Sequence, residues 1–92
     1  FSRQLKAIGN SEDCLIAIST SGNSRNILKT VKVAKSMNIK TIGLTGKTGG
    51  LMNGSCDLTI MVPSLSTARI QEAHILIGHT LCGGIEVGLG LI

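Results

Sequence analysis

The stretch from Asp13 to Thr45 constrains the fold more than any other part of the chain. A short apolar run, Asp13-Cys14-Leu15-Ile16-Ala17-Ile18, has the length and composition of a buried strand. A hydroxyl-rich turn, Ser19-Thr20-Ser21-Gly22-Asn23-Ser24, follows it. Ser24 to Asn38 then places Ile27, Leu28, Val31, Ala34 and Met37 on one helical face. The next run, Ile39 to Thr45, is rich in β-branched residues and reads as a second strand. Strand, turn, helix and strand make the repeating unit of a parallel α/β sheet with right-handed crossovers.

The remaining segments extend that pattern. Phe1 to Ile8 reads as the end of a helix stopped at Gly9-Asn10, which suggests a chain that starts in mid-fold. Gly46 to Gly54 reads as a loop with one helical turn at Leu51-Met52. Cys56 to Val62 is the third expected strand, and Pro63 to Ser66 a loop. Thr67 or Ser66 then caps a long helix running to about Glu86 or beyond. Three strands make a thin sheet that needs cover on both faces. Two covering helices are visible, so partner subunits or a preceding segment are expected to supply the rest.

Composition narrows the function. The 92 residues are 42% hydrophobic, enough for a packed core and against disorder. Phe1 is the only aromatic residue, so base-stacking platforms for single-stranded nucleic acid have nothing to build on. The net charge of +4 owes much to Lys29, Lys32 and Lys35 on one helix, a solvated face rather than a groove reader. Cys14, Cys56 and Cys82 are dispersed and odd in number, which fits a reducing cytoplasm. Ile75 to Ile92 is apolar, but His79, Glu86 and five glycines weaken a membrane-spanning reading. Neither nucleic acid nor a membrane is expected as a partner.

The hydroxyl-rich turn lies where a strand ends and a helix begins. Such a place offers hydroxyl donors, unpaired backbone N–H groups and the positive end of the helix dipole to an anion. Ser24 or Asn23 could equally cap the helix with no ligand present. In parallel α/β sheets ligands bind at the carboxyl ends of the strands, where this turn and the Pro63 to Thr67 loop both lie. Thr45-Gly46-Lys47-Thr48 invites a nucleotide P-loop reading, but Thr41 stands where that motif needs glycine and Lys47 opens no long helix. No Cys/His cluster has zinc-finger spacing.

Gln71, Glu72, His74 and His79 are among the polar residues of the largely apolar last helix. Glu72, His79 and Glu86 follow a seven-residue spacing and nearly align. Gln71 lies about 80° from His79 and about 12 Å away along the axis, and His74 points about 140° from His79. By itself His79 reads as a core histidine bonded to a carbonyl or to Glu72, or as a reactive group.

Three stretches, Ile18-Ser-Thr-Ser-Gly-Asn-Ser24, Leu44-Thr-Gly-Lys-Thr-Gly-Gly50 and Ala68-Arg-Ile-Gln-Glu-Ala-His-Ile-Leu-Ile-Gly-His79, occur in the order and spacing of a known family. In them the chain resembles the second half of a sugar-isomerase (SIS) subunit, within the branch that isomerises sedoheptulose 7-phosphate. The resemblance implies a three-layer α/β sandwich with a parallel sheet, flavodoxin-like and doubly wound, of which residues 1–92 are a partial domain. It implies that Ser19, Thr20, Ser21 and Ser24 grip the sugar phosphate. It places Gln71 beside the substrate, makes Gln71 and His79 two of the ligands of one zinc ion, and gives His79 an acid/base role. The family's first half carries a His and a Glu that complete the site, so this chain alone is expected to be inactive. The resemblance also implies self-association as a homotetramer. Ala68 departs from the family, where many members have an acidic residue before the Arg.

The implied reaction has a physical logic. Turning a ketose phosphate into an aldose phosphate moves a proton between adjacent carbons through an enediol. That needs an acid and a base that titrate near neutrality, which is histidine's range. Phosphate binding supplies positioning from the end that does not react. Two other readings of the resemblance remain: a non-catalytic binding module of the type that associates with the DnaA initiator, and a sugar-phosphate-sensing regulatory domain. His79 and Ser21 favour the enzyme.

Overall fold

The computed structural model describes all 92 residues. Helix α1 (Ser2–Ile8) leads to strand β1 (Cys14–Ile18), helix α2 (Arg25–Ser36) and strand β2 (Lys40–Gly46). A single 3-10 turn (Gly50–Met52), strand β3 (Leu58–Val62) and helix α3 (Thr67–Gly88) complete the chain. The strands form one parallel sheet in the order β1-β2-β3.

Side-chain alternation assigns the helices to faces. Leu15 and Ala17 of β1 pack with Val31, Ile27 and Leu28 of α2, and Met52 joins that cluster. Gly43 leaves the space that Met52 fills: a Cβ there would lie 3.0 Å from the Met52 methyl. Gly46 points to the opposite face, where a Cβ would meet Ile70 of α3 at 2.4 Å. Helices α2 and α3 therefore cover opposite faces, and β2 between them is buried from Thr41 to Gly46 apart from half-buried Ile42. This is the expected α/β architecture, with three parallel strands.

Element boundaries follow local chemistry. Helix α2 stops because Asn38 takes φ 59° and Ile39 N–H returns to the Ala34 carbonyl at 2.9 Å, which satisfies the last turn. Strand β3 begins at Leu58 rather than at the expected Cys56. The reason is Asp57, whose carboxylate accepts the Thr41 N–H at 2.8 Å and the Thr41 hydroxyl at 3.1 Å. Asp57 N–H in turn donates to Thr41 Oγ1 at 2.9 Å. A side-chain carboxylate thus stands in for the first ladder acceptor. The Thr41 N–H, and then its hydroxyl, hold the Asp57 carboxyl below the usual carboxylate range. Burial pushes the neighbouring Cys56 thiol up.

The far end of α3 is less engaged. Ile75, Leu76, Ile85 and Val87 are exposed, and Cβ atoms added at Gly78, Gly83, Gly84 or Gly88 would meet nothing within 4 Å. No helix is long and apolar enough to cross a membrane.

Candidate phosphosugar cleft

The serine turn closes on itself at the carboxyl end of β1. Ser19 N–H continues the sheet by donating to the Leu44 carbonyl at 3.0 Å. Its side chain is the hub of the turn. Ser19 Oγ accepts from Gly22 N–H at 3.1 Å and Ser24 N–H at 3.4 Å, and shares a 2.8 Å hydrogen bond with Ser24 Oγ. Ser24 occupies the N-cap of α2, yet its hydroxyl bonds to Ser19 and caps no helix N–H. The N–H groups of Thr20 and Ser21 enter no hydrogen bond, and in the first α2 turn those of Arg25 and Asn26 are free, whereas Ile27 N–H donates to Asn26 Oδ1 at 3.0 Å and Leu28 N–H to the Ser24 carbonyl at 2.9 Å. Donors are thus left facing outward at a helix N-terminus.

The glycine-rich stretch after β2 is the seat of this turn. Gly22 has φ +70°, and a Cβ on it would lie 1.9 Å from the Gly49 carbonyl oxygen. Met52 N–H donates to the Gly22 carbonyl at 3.0 Å, and Leu51 N–H to Asn23 Oδ1 at 2.9 Å. Only a chain without side chains at Gly22 and Gly50 brings the two loops this close: a Cβ on Gly50 would lie 2.5 Å from the Ser21 carbonyl oxygen. The clasp on the turn is therefore the backbone of Gly49 to Met52, directly after the Thr45-Gly46-Lys47-Thr48 motif.

A cleft of about 500 Å³ opens beside the turn, within the range of small-molecule sites. Ser19, Thr20 and Ser24 line one side, and Gln71, His74 and Ile75 of α3 the other, with Ile18 between. Ser19 is almost fully buried, and Thr20 and Ser24 are half-buried. Ser21 is half-buried too, but its Oγ accepts Asn23 N–H at 3.1 Å and it does not line the cleft. A second cleft of about 460 Å³ runs along the β1 edge, but Thr30 is its only polar lining residue, so it offers an anion little.

Helix α3 is capped by Ser66, whose hydroxyl accepts Arg69 N–H at 3.5 Å. Arg69 pairs with Glu72 on the exposed face. His79 is exposed and makes no hydrogen bond, so neither Glu72 nor a carbonyl holds it. The carbonyl-bonded core histidine is His74, 5% exposed, whose Nε2 meets the Thr45 carbonyl at 2.8 Å. Its signal was present in the sequence: Ile70, His74 and Ile77 recur at helical spacing and form the inward stripe.

Gln71 and His79 are eight residues apart on α3, about 12 Å of rise, and of the two only Gln71 lines the cleft. No group of three His, Cys, Asp or Glu side chains gathers to hold a metal ion. A zinc ion held by Gln71 and His79 would need its remaining ligands from outside this chain.

Comparison with known proteins identifies the class. The SIS domain family model matches residues 2–78, and the chain belongs to that family. It is similar to the phosphoheptose isomerase of Campylobacter jejuni (strain 81116), 58% identical over 88 residues that cover 96% of this chain and 47% of that protein. The phosphoheptose isomerase of Helicobacter pylori (strain P12) is 54% identical over 86 residues, covering 94% of this chain and 45% of that one. The solved structure of the phosphoheptose isomerase from Neisseria gonorrhoeae superimposes with a TM-score of 0.89 at 44% identity, over 92% of this chain and 49% of that one. The chain spans about half the length of the relatives it matches, corresponding to their C-terminal half.

Proposed function

We propose that this chain is the phosphate-binding half of a phosphoheptose isomerase, which converts sedoheptulose 7-phosphate into D-glycero-D-manno-heptose 7-phosphate for heptose and lipopolysaccharide core synthesis in the cytoplasm. The observation that carries the reading is the cleft in which Ser19, Thr20 and Ser24 face Gln71 across the N-terminus of α2. The similarity to phosphoheptose isomerases at 54–58% identity supports the choice of substrate. In this reading Ser19, Thr20 and Ser24 receive the phosphate, Ser21 stiffens the turn through Asn23, and Gln71 contacts the sugar.

His79 is assigned proton transfer between the two carbons. Its exposure and its distance from Gln71 suit a site completed by residues outside this chain. The exposed apolar residues of α3 support self-association, as a homotetramer. Zinc enters only as an ion shared with such outside residues, to which Gln71 and His79 each offer one ligand atom. In the full-length enzyme, His79→Ala is expected to lower kcat by about 100-fold or more, as loss of a general acid/base does. Turnover equal to wild type would remove His79 from the mechanism.

A further inference from the structure

His74 has a role that the proton-transfer chemistry does not use. It is the buried imidazole of α3, and its Nε2 donates to the carbonyl of Thr45, the penultimate residue of β2. That bond fixes the tautomer: Nε2 carries the proton, and Nδ1 is left buried with no partner. One turn earlier Ile70, fully buried, presses on Gly46 with no room for a Cβ between them. Ile70 and His74 are neighbours on one helical face, so two successive contacts pin α3 to the carboxyl end of β2. Ile70 supplies close packing, which is non-directional and tolerates a roll of the helix about its axis. The N–H to carbonyl bond is directional and does not.

Gln71 rides on that arrangement. It follows Ile70 directly and precedes His74 by three residues, and it lines the cleft opposite Ser19 and Ser24 together with His74. We propose that His74 is a positioning residue for the phosphosugar cleft: its bond to the Thr45 carbonyl sets the rotation of α3 and so holds Gln71 at its working distance from the serine turn. This rests on the phosphosugar reading for its functional consequence, but not for the geometry itself. The consequence is large because an ångström of misplacement in a reactive constellation costs up to about 100-fold in rate.

The test uses the full-length enzyme and two variants. His74→Gln keeps an N–H donor near the position of Nε2, whereas His74→Met keeps bulk and loses the donor. Assayed well below its Tm, the Met variant is expected to lose about tenfold or more in kcat/KM, and the Gln variant to stay within about threefold of wild type. In a Gln71→Ala background, His74→Met is expected to weaken sedoheptulose 7-phosphate binding by less than about twofold, because the residue it positions is gone. The Gln71 side-chain amide resonance of the ligand-free protein should shift in the Met variant and return in the Gln variant. Equal losses in both variants, an undiminished loss in the Gln71→Ala background, or an unmoved Gln71 resonance would overturn the proposal. The resonance needs no sugar, so an enzyme that does not bind sedoheptulose 7-phosphate defeats the functional reading while the positioning claim is still decided.

Discussion

The serine turn and the outer half of α3 carry the polar residues of interest, and they are built in opposite ways. The turn is held from within the chain: Ser19 joins Gly22 and Ser24, and the loop after β2 grips its back through Gly22, Asn23 and Met52. The outer half of α3 carries His79 and Glu86 among exposed apolar residues, and neither side chain has a hydrogen bond or ion pair. The difference teaches that anion capture is a local property of a strand–turn–helix unit. Proton transfer asks for groups that converge from distant parts of a protein. In this chain the serine turn is closed by its own hydrogen bonds, and no side-chain hydrogen bond or ion pair converges on His79.

That contrast can be broken in several places, beginning where the largest effect is expected. His79→Ala tests the open region through turnover, and its expected loss of about 100-fold should come with an unchanged unfolding midpoint. A fall in stability as large as the fall in kcat would mean that His79 is structural. Gly22→Ala tests the closed region. The added Cβ meets the Gly49 carbonyl oxygen at a positive φ, so the full-length protein should lose about 3 kcal/mol or more in urea unfolding. A loss under about 1 kcal/mol would show that the two loops are not clasped.

Thr41→Val probes the other end of the sheet. The depressed Asp57 carboxyl contributes stability that is present above its unfolded pKa and is lost as pH falls through its folded one. The variant keeps the backbone bond and loses the hydroxyl, so its stability deficit should narrow as the pH falls below about 4. Urea midpoints at neutral and acid pH measure this, and a constant deficit would contradict it. The smallest effect is expected in the outer half of α3. Cys82 is exposed and unpaired, and Cys82→Ser should change stability of the isolated subunit by no more than about 0.5 kcal/mol. A larger change would mean that this region is packed after all.

Much of the fold was legible because its signals are short-range. The period of Ile27, Leu28, Val31 and Ala34 gave α2, and the β-branched run gave β2, each within a residue or two. The start of β3 was not legible, because a carboxylate that replaces a ladder carbonyl looks like an ordinary strand-flanking acid in sequence. The role of Gly46 to Gly50 was hidden for a different reason. Those glycines matter through contacts with Gly22 and Ile70, more than twenty residues away in either direction. The role of His74 is not legible in sequence, because nothing in α3 announces the Thr45 carbonyl that it meets. In the cleft, Ser19, Thr20, Ser24 and Gln71 line facing walls, whereas Ser21 and His79 lie outside it.

The central claim is that the serine turn holds a phosphate. Calorimetric titration of the full-length enzyme and its Ser19→Ala, Ser24→Ala variant with sedoheptulose 7-phosphate, and in parallel with unphosphorylated sedoheptulose, tests it most directly. The account expects the variant to weaken binding of the phosphorylated sugar by about tenfold or more, since charge-assisted hydrogen bonds are lost, and to leave the weak binding of the free sugar unchanged. An equal loss for both sugars, or none for either, would contradict it.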